Sequence, residues 1–342
     1  SPTKFSGEID GVETTFSGTL TEDQSTDRSA FNEIATSALP AIAGGGETSA
    51  MALSFGGTLT EDALLEARRH NFLAAFTRVR DECALAWADI STGAFHVMPL
   101  AEVRLGPELA RLAPSELIVS EGVDAPFELA EELGIALTPL GRSSFDSSGA
   151  EKRLCDLFGV ATLESFGNFG RAEVAAMGAL IDYLEITQKG KLPLLEPPAT
   201  EAGDRVVQID AATRRNLELV RSLGGSRDGS LLSVIDRTVT PGGARLLEQR
   251  LSSPSRDLDL IRARLDAVAF AVNHASLTGD LRELLRRTPD LDRALSRLSL
   301  DRGGPRDLAA IRNGLEQAER VAGLLSGSEA PEILSGAATL LT

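Results

Sequence analysis

Aromatic residues make up only 4% of the 342 residues, with one tryptophan and one tyrosine. That leaves little material for the stacked platforms that hold single-stranded nucleic acid. Cysteine is nearly absent: Cys83 and Cys155 are too few and too far apart for a zinc site or a disulfide framework, and they indicate a reducing compartment. His70, His96 and His274 are isolated in the sequence and read as structural or exposed residues. No stretch is apolar enough to span a membrane, and none has the charged start, apolar middle and small-residue end of a signal peptide. The expected location is the cytoplasm.

What is present describes a globular chain, 42% hydrophobic and 25% charged, long enough for two or three domains. Its net charge of −16 argues against a freestanding DNA-binding domain, because neutralising phosphates needs a basic face. The charge is unevenly spread. Residues 1–56 carry two basic and eight acidic groups, whereas residues 201–342 carry twenty arginines, no lysine and twenty acids. Segments with different charge rules indicate at least three parts.

Residues 1–56 are rich in Ser, Thr and Gly without a sustained period and read as an unassigned leader with the composition of a disordered segment. Phe16-Ser-Gly-Thr-Leu-Thr-Glu-Asp23 recurs as Phe55-Gly-Gly-Thr-Leu-Thr-Glu-Asp62, but two copies do not make an array. A helix start follows at Thr60, with acids in its first turn. Asn71 to Val79 is ambiguous between helix and strand by periodicity. Two apolar runs, Ala84 to Ile90 and Ala94 to Met98, flank a turn containing Gly93 and predict a hairpin. Helices around Glu102–Leu112 and Phe127–Leu133 with a strand at Glu116–Ser120 between them give an α/β pattern. Further helices are expected from about Ala150 to Phe158 and from Arg171 to Thr187, the latter with Val174, Met177, Leu180, Ile181 and Leu184 on a core face. Leu192 to Pro198, with three prolines, reads as a linker.

The remainder reads as helical. Asp210 is placed to cap a helix carrying Leu217 and Val220 on one face, Thr240-Pro241 starts another that Ser252, Ser253 and Pro254 stop, and Asp257 caps a third. Leu258, Ile261, Leu265, Val268 and Val272 share one face of that third helix and read as a packing stripe. Leu281, Leu284 and Leu285, then Leu291, Leu295 and Leu298, then Leu308, Ile311, Leu315 and Leu325 predict three more, with breaks at Pro289 and a start near Pro305. The arginine pairs 214/215 and 286/287 are candidates for phosphate contact, but the balancing acids favour solvated or inter-helix ion pairs.

Chemistry-bearing patterns are weak. Asp89 on a strand, with Glu102, Glu108 and Glu116 nearby, is the acid set a metal-dependent nuclease would draw on, although the spacing shows no convergence. Asp89-Ile-Ser-Thr-Gly93 lacks the second glycine and the lysine of a phosphate loop, and Gly190-Lys191 has neither the leading glycine nor a following Ser or Thr.

The stretches Asp210 to Leu219 and Ser230 to Leu251 resemble the opening of the helical core domain of the MutS family of DNA mismatch-recognition proteins, and the likeness runs from about Gly57 to the end. The resemblance implies an α/β connector domain, similar to ribonuclease H, at 57–191, a linker at 192–200 and a partial all-α helical core domain at 201–342. It favours a strand at Asn71–Val79. It also implies a role in DNA mismatch repair, with a MutL-type protein docking on the connector, and mismatched double-stranded DNA and a homodimeric state as properties of the full-length family. Phe31-Asn-Glu33 is the one pattern near that family's Phe-x-Glu mismatch wedge, and its neighbours do not resemble the motif. ATP and Mg belong to the full-length family, but nothing resembling its Gly-Pro-Asn-x-x-Gly-Lys-Ser loop occurs here. The expectation is therefore a chain ending before the lever helices, clamp and ATPase, with no catalytic, cofactor or metal residues of its own and no DNA-binding residues that can be named. A protein-interaction module without DNA binding and, behind it, a ribonuclease H-like nuclease are the alternatives.

Overall fold

The computed structural model describes residues 3–9, 12–18, 66–122, 126–188, 192–203 and 205–341. Two compact units divide the chain, residues 1–54 and 55–342. In the first, strands β1 (Thr3–Ile9) and β2 (Val12–Gly18) pair antiparallel with Ile9 opposite Val12. The sequence reading has no strand there. The Phe16 echo, the Phe31-Asn-Glu33 triplet, the Thr60 helix start and Gly190-Lys191 lie wholly or largely outside the described residues.

The second unit opens on a mixed sheet. Its strands are β3 (Phe72–Val79), β4 (Glu82–Asp89), β5 (Phe95–Leu100), β6 (Glu116–Ser120), β7 (Ala136–Leu140) and β8 (Ala199–Thr200), in the order β7-β6-β3-β4-β5-β8. The pairs β3–β4 and β4–β5 are antiparallel, whereas β3–β6, β6–β7 and β5–β8 are parallel. Because side chains alternate across a strand, Leu73 and Ala75 with Ala84, Ala86 and Ala88 face one side, and Ala74 and Phe76 with Leu85 and Trp87 face the other. Both sides are covered. Helices α1 (Leu105–Leu112) and α2 (Phe127–Leu133) bury the Trp87 side, while α3 (Ser147–Phe158) and α4 (Arg171–Thr187) bury the opposite one. A strand buried on both faces has no reason to alternate apolar with polar, which is why Asn71–Val79 looked ambiguous.

The five apolar positions expected on α4 are all buried. At Gly178 the helix meets α3 so closely that an added Cβ would lie 2.2 Å from the Ala150 Cβ. Gly93, at φ +90°, makes the β4–β5 turn and lets the Leu194 carbonyl approach to within 2.1 Å of where a Cβ would sit. The Pro-rich stretch after residue 191 is thereby laid along the sheet domain: Leu195 is buried, the Glu196 N–H donates to the Gly93 carbonyl at 2.8 Å, and β8 adds to the edge.

The helical part comprises α5 (Ala211–Asn216), α6 (Leu231–Ile235), α7 (Pro241–Ser252), α8 (Leu258–Asn273), α9 (Ala275–Arg286), α10 (Leu291–Ser299), α11 (Pro305–Ser326) and α12 (Glu332–Thr339). The caps read from sequence at Asp210, Thr240 and Asp257 are made. Asp210 accepts from the Thr213 N–H at 2.9 Å, Thr240 from Gly243 at 3.0 Å, and Asp257 from Asp259 and Leu260 at 2.9 and 3.1 Å. Two expectations need correction. Leu217 and Val220 do not share a helical face, because α5 ends at Asn216 and Glu218 turns left-handed at φ +46°. The stripe on α8 is not packed among the described residues: the helix buries none of its side chains, and Val272 is 72% exposed. The buried apolar cluster of this domain is small, formed by Val321, Leu325 and Ala338 with Leu281, Leu284 and Leu285 against it.

Candidate functional site

The densest constellation of charged groups lies where the sheet domain meets the helices. It starts at α7. The Thr240 cap and Pro241 set the helix direction, and one turn on this places Arg245, only 3% exposed, facing inward. Its guanidinium grips Asp290 with two hydrogen bonds, at 2.7 and 3.0 Å, reaches Asp292 at 3.2 Å, and donates to the Ala67 carbonyl at 2.9 Å. The paired oxygens suit the planar fork of arginine. Burial opposes its charge, but the Asp290 and Asp292 carboxylates outweigh this and hold its pKa above the ordinary arginine value.

Ala67 belongs to a short segment, Glu66–Asn71, that touches both domains. Towards the helices, Arg68 donates to Asp236 at 3.0 Å and to the Thr238 hydroxyl at 2.7 Å, Arg69 donates to Glu248 at 3.1 Å, and Arg293 reaches the Glu66 carbonyl. Towards the sheet, His70 Nδ1 bonds to Asp89 at 2.7 Å and Asn71 Nδ2 donates to the Ser91 hydroxyl at 3.3 Å. Asp89 is fully buried and also accepts from the Ser91 N–H and hydroxyl at 2.9 and 2.6 Å. Burial pushes its carboxyl up, but His70 and Ser91 together hold it below the usual range. Further along, Ser296 donates to the Ile90 carbonyl at 3.3 Å, Arg111 to the Ser253 hydroxyl at 3.1 Å, and the Leu194 N–H to Ser299 at 3.2 Å.

Asp236 anchors the helical side of this segment. Burial raises its pKa, but two hydrogen bonds from Thr238 and the Arg68 charge overcome this and bring it to about 2. A folded-state value below the unfolded one adds stability that is complete above about pH 4 and is lost as pH falls towards 2, on the order of 2 kcal/mol. In urea unfolding, the stability gap between the native chain and an Asp236→Asn variant is therefore expected to be largest at neutral pH and to close between those values. A gap independent of pH would contradict this ion pairing.

The structure keeps apart the acids that a nuclease would need. Asp89 is engaged as above, Glu102 pairs with Arg78, Glu108 bridges Arg104 and Arg111 at 2.9 and 2.7 Å, and Glu116 accepts from Tyr183 at 2.6 Å and from Thr138. Among the described residues, no group of three or more His, Cys, Asp or Glu side chains is arranged to hold a metal ion. The nuclease reading is not favoured. Arg214 is buried and donates to the Ser252 carbonyl at 2.8 Å, and Arg287 pairs with Glu283. His96 stacks on Trp87 and His274 on Phe270. Cys83 and Cys155 are both free. Sequence reasoning missed the 66–71 segment, Asp236, Arg245 and Asp290 altogether. The one available signal was an arginine next to the apolar Ala244 on a capped helix, at a position that should face inward.

A mixed-sheet domain with helices on both faces, keyed by buried charges to a helical domain, defines an α/β domain followed by an all-α one. Residues 71–196 match the family model described as MutS domain II, and residues 212–341 match that described as MutS domain III. Three similar curated proteins are each called DNA mismatch repair protein MutS. The one from Ruegeria pomeroyi is 71% identical over 280 residues, 80% of this chain and 32% of that protein. That of a second Ruegeria strain is 69% identical over 278 residues, 81% and 32%, and that of Roseobacter denitrificans 64% over 275 residues, 80% and 31%. Over these two domains the chain belongs to the MutS family. It spans about a third of the length of these relatives. No helix among the described residues is long and apolar enough to cross a membrane.

Proposed function

We propose that the chain works in DNA mismatch repair, as the connector and part of the core of a MutS-type protein. In this reading residues 57–191 form the connector, with a fold similar to ribonuclease H, residues 192–200 lead out of it, and residues 201–342 belong to the core. The observation that carries the reading is the adjacency of the two MutS domains, joined through Arg245 and the 66–71 segment. Such a junction lets the state of one part bear on the other. The connector offers the docking surface for a MutL-type protein. The core contributes part of the path by which nucleotide state reaches the DNA grip, and coupling of this kind needs a ligand site at each end.

Mismatched double-stranded DNA, ATP, Mg and a homodimeric state belong in this reading to the longer assembly, in the cytoplasm. The residues present do not fit a nucleotide, since Gly190-Lys191 lacks the rest of a phosphate loop. Titration of the purified chain against matched and mismatched duplexes at two salt concentrations tests the proposal. Equal, weak and strongly salt-dependent binding to both is expected, together with capture of a MutL-type protein that is lost when residues 57–191 are deleted. Mismatch-selective binding by this chain, or no binding to a MutL-type protein, would overturn it.

A further inference from the structure

We propose that Glu66–Asn71 is a releasable polar clasp, able to leave the helical domain while both domains stay folded. The inference stands on the junction itself and does not depend on the repair reading.

Three observations point to it. First, the contacts of the segment are divided. Glu66, Ala67, Arg68 and Arg69 are held by Arg293, Arg245, Asp236, Thr238 and Glu248 of the helical domain, whereas His70 and Asn71 are held by Asp89 and Ser91 of the sheet domain. A pivot at His70–Asn71 breaks the bonds by which the Asn71 side chain holds the Glu66 N–H, the Glu66 carbonyl and the Arg69 carbonyl, but leaves β3 in place, whose pairing with β4 begins at Phe72 opposite Asp89. Second, the hold is electrostatic. None of the three buried apolar clusters contains residues of both domains, and residues 66–68 are exposed on their outer side. The Arg68 side chain is 43% exposed, so its pair with Asp236 is open to screening by salt, and the contacts re-form without the cost of exposing a core. Third, the seated state is incompletely satisfied: His70 Nε2 is buried with no partner among the described residues. Release would let water reach that nitrogen and recover part of what the ion pairs lose.

The helical side also keeps its own structure when the clasp leaves. Asp236 retains Arg227 at 2.7 Å and Thr238, and Arg245 retains Asp290 and Asp292. A latch with satisfied partners on both sides after opening can exist in two states, which is what transmission between domains requires.

The test uses trypsin on the native chain, because cutting after Arg68 or Arg69 needs this segment to leave its seat. In the double variant Asp236→Asn, Glu248→Gln the two arginines remain available to the protease. Cleavage at these positions is expected to speed up by roughly fivefold or more, while sites in α4 and α11 stay protected. A second measurement needs no variant: hydrogen exchange at the Glu66 N–H, held by the Asn71 side chain at 3.0 Å, should accelerate in the native chain between about 0.05 M and about 0.5 M salt, with β3 and β4 unchanged. Unchanged cleavage and exchange would overturn the proposal. So would cleavage or exchange rising equally in the sheet, since the segment would then open only with the domain.

Discussion

Arg245→Met is expected to lower the unfolding free energy by about 3–5 kcal/mol, seen as a lower urea midpoint at unchanged slope. Methionine fills much of the same volume, so the loss does not come from a cavity. It comes from what is left behind: Asp290 loses both of its hydrogen bonds from Arg245 and keeps only the more distant Arg293, at 3.8 Å, as a counter-charge, and the Ala67 carbonyl loses its donor. Removing one partner of a buried pair costs more than the pair itself contributes, because the survivor keeps its desolvation penalty. Asp292 moderates the effect, since it is exposed enough to return to water. Adding Asp290→Asn to Arg245→Met should restore part of the loss, because a neutral amide replaces the stranded charge. Equal and additive losses would show that the two residues act separately.

Gly178→Ala is expected to destabilise by about 2 kcal/mol, although alanine is the better helix former by about 1 kcal/mol. The added Cβ would sit 2.2 Å from the Ala150 Cβ and 2.8 Å from its Cα. A clash with backbone cannot be relieved by turning a side chain, so α3 and α4 would have to separate. That loosens the packing of Met177, Leu180 and Ile181 and disturbs the bond from Arg153 to the Gly178 carbonyl at 3.0 Å. Overpacking of this kind costs roughly 1–3 kcal/mol, and two helix backbones in contact put it at the upper end. Ala150→Gly should rescue Gly178→Ala in part, since it removes the nearer of the two contacts. If Gly178→Ala raised stability, the close crossing of the helices would be refuted.

How far the fold was legible can be judged from particular elements. The hairpin around Gly93 and the strand Glu116–Ser120 were readable as short apolar runs bounded by turn residues, and the core face of α4 because its apolar residues recur at helical spacing. β7 was not. It is a short edge strand carrying Pro139, a residue that argues against a strand in sequence and is tolerated only where one side needs no partner. β1 and β2 were missed although Asp10-Gly11, a strong hairpin signal, separates them, because their Ser, Thr and Gly content resembles a leader. The family was legible from the residues of α5 to α7. The site was not, since its parts are ordinary arginines and acids in a sequence full of both.

Alone, the sequence determined where helices begin. Asp210, Thr240 and Asp257 bond to N–H groups two or three residues ahead, so nothing distant is required. It also determined the two-sided burial of the sheet, through apolar runs too dense for a surface strand. Only the tertiary structure decided what the charges do. Arg245 meets Asp290 across 45 residues and Ala67 across 178, and Arg68 meets Asp236 across 168. A charge pattern cannot specify such pairs, because any arginine attracts any carboxylate, and the choice among them is made by which backbones the packed core brings within a few ångströms.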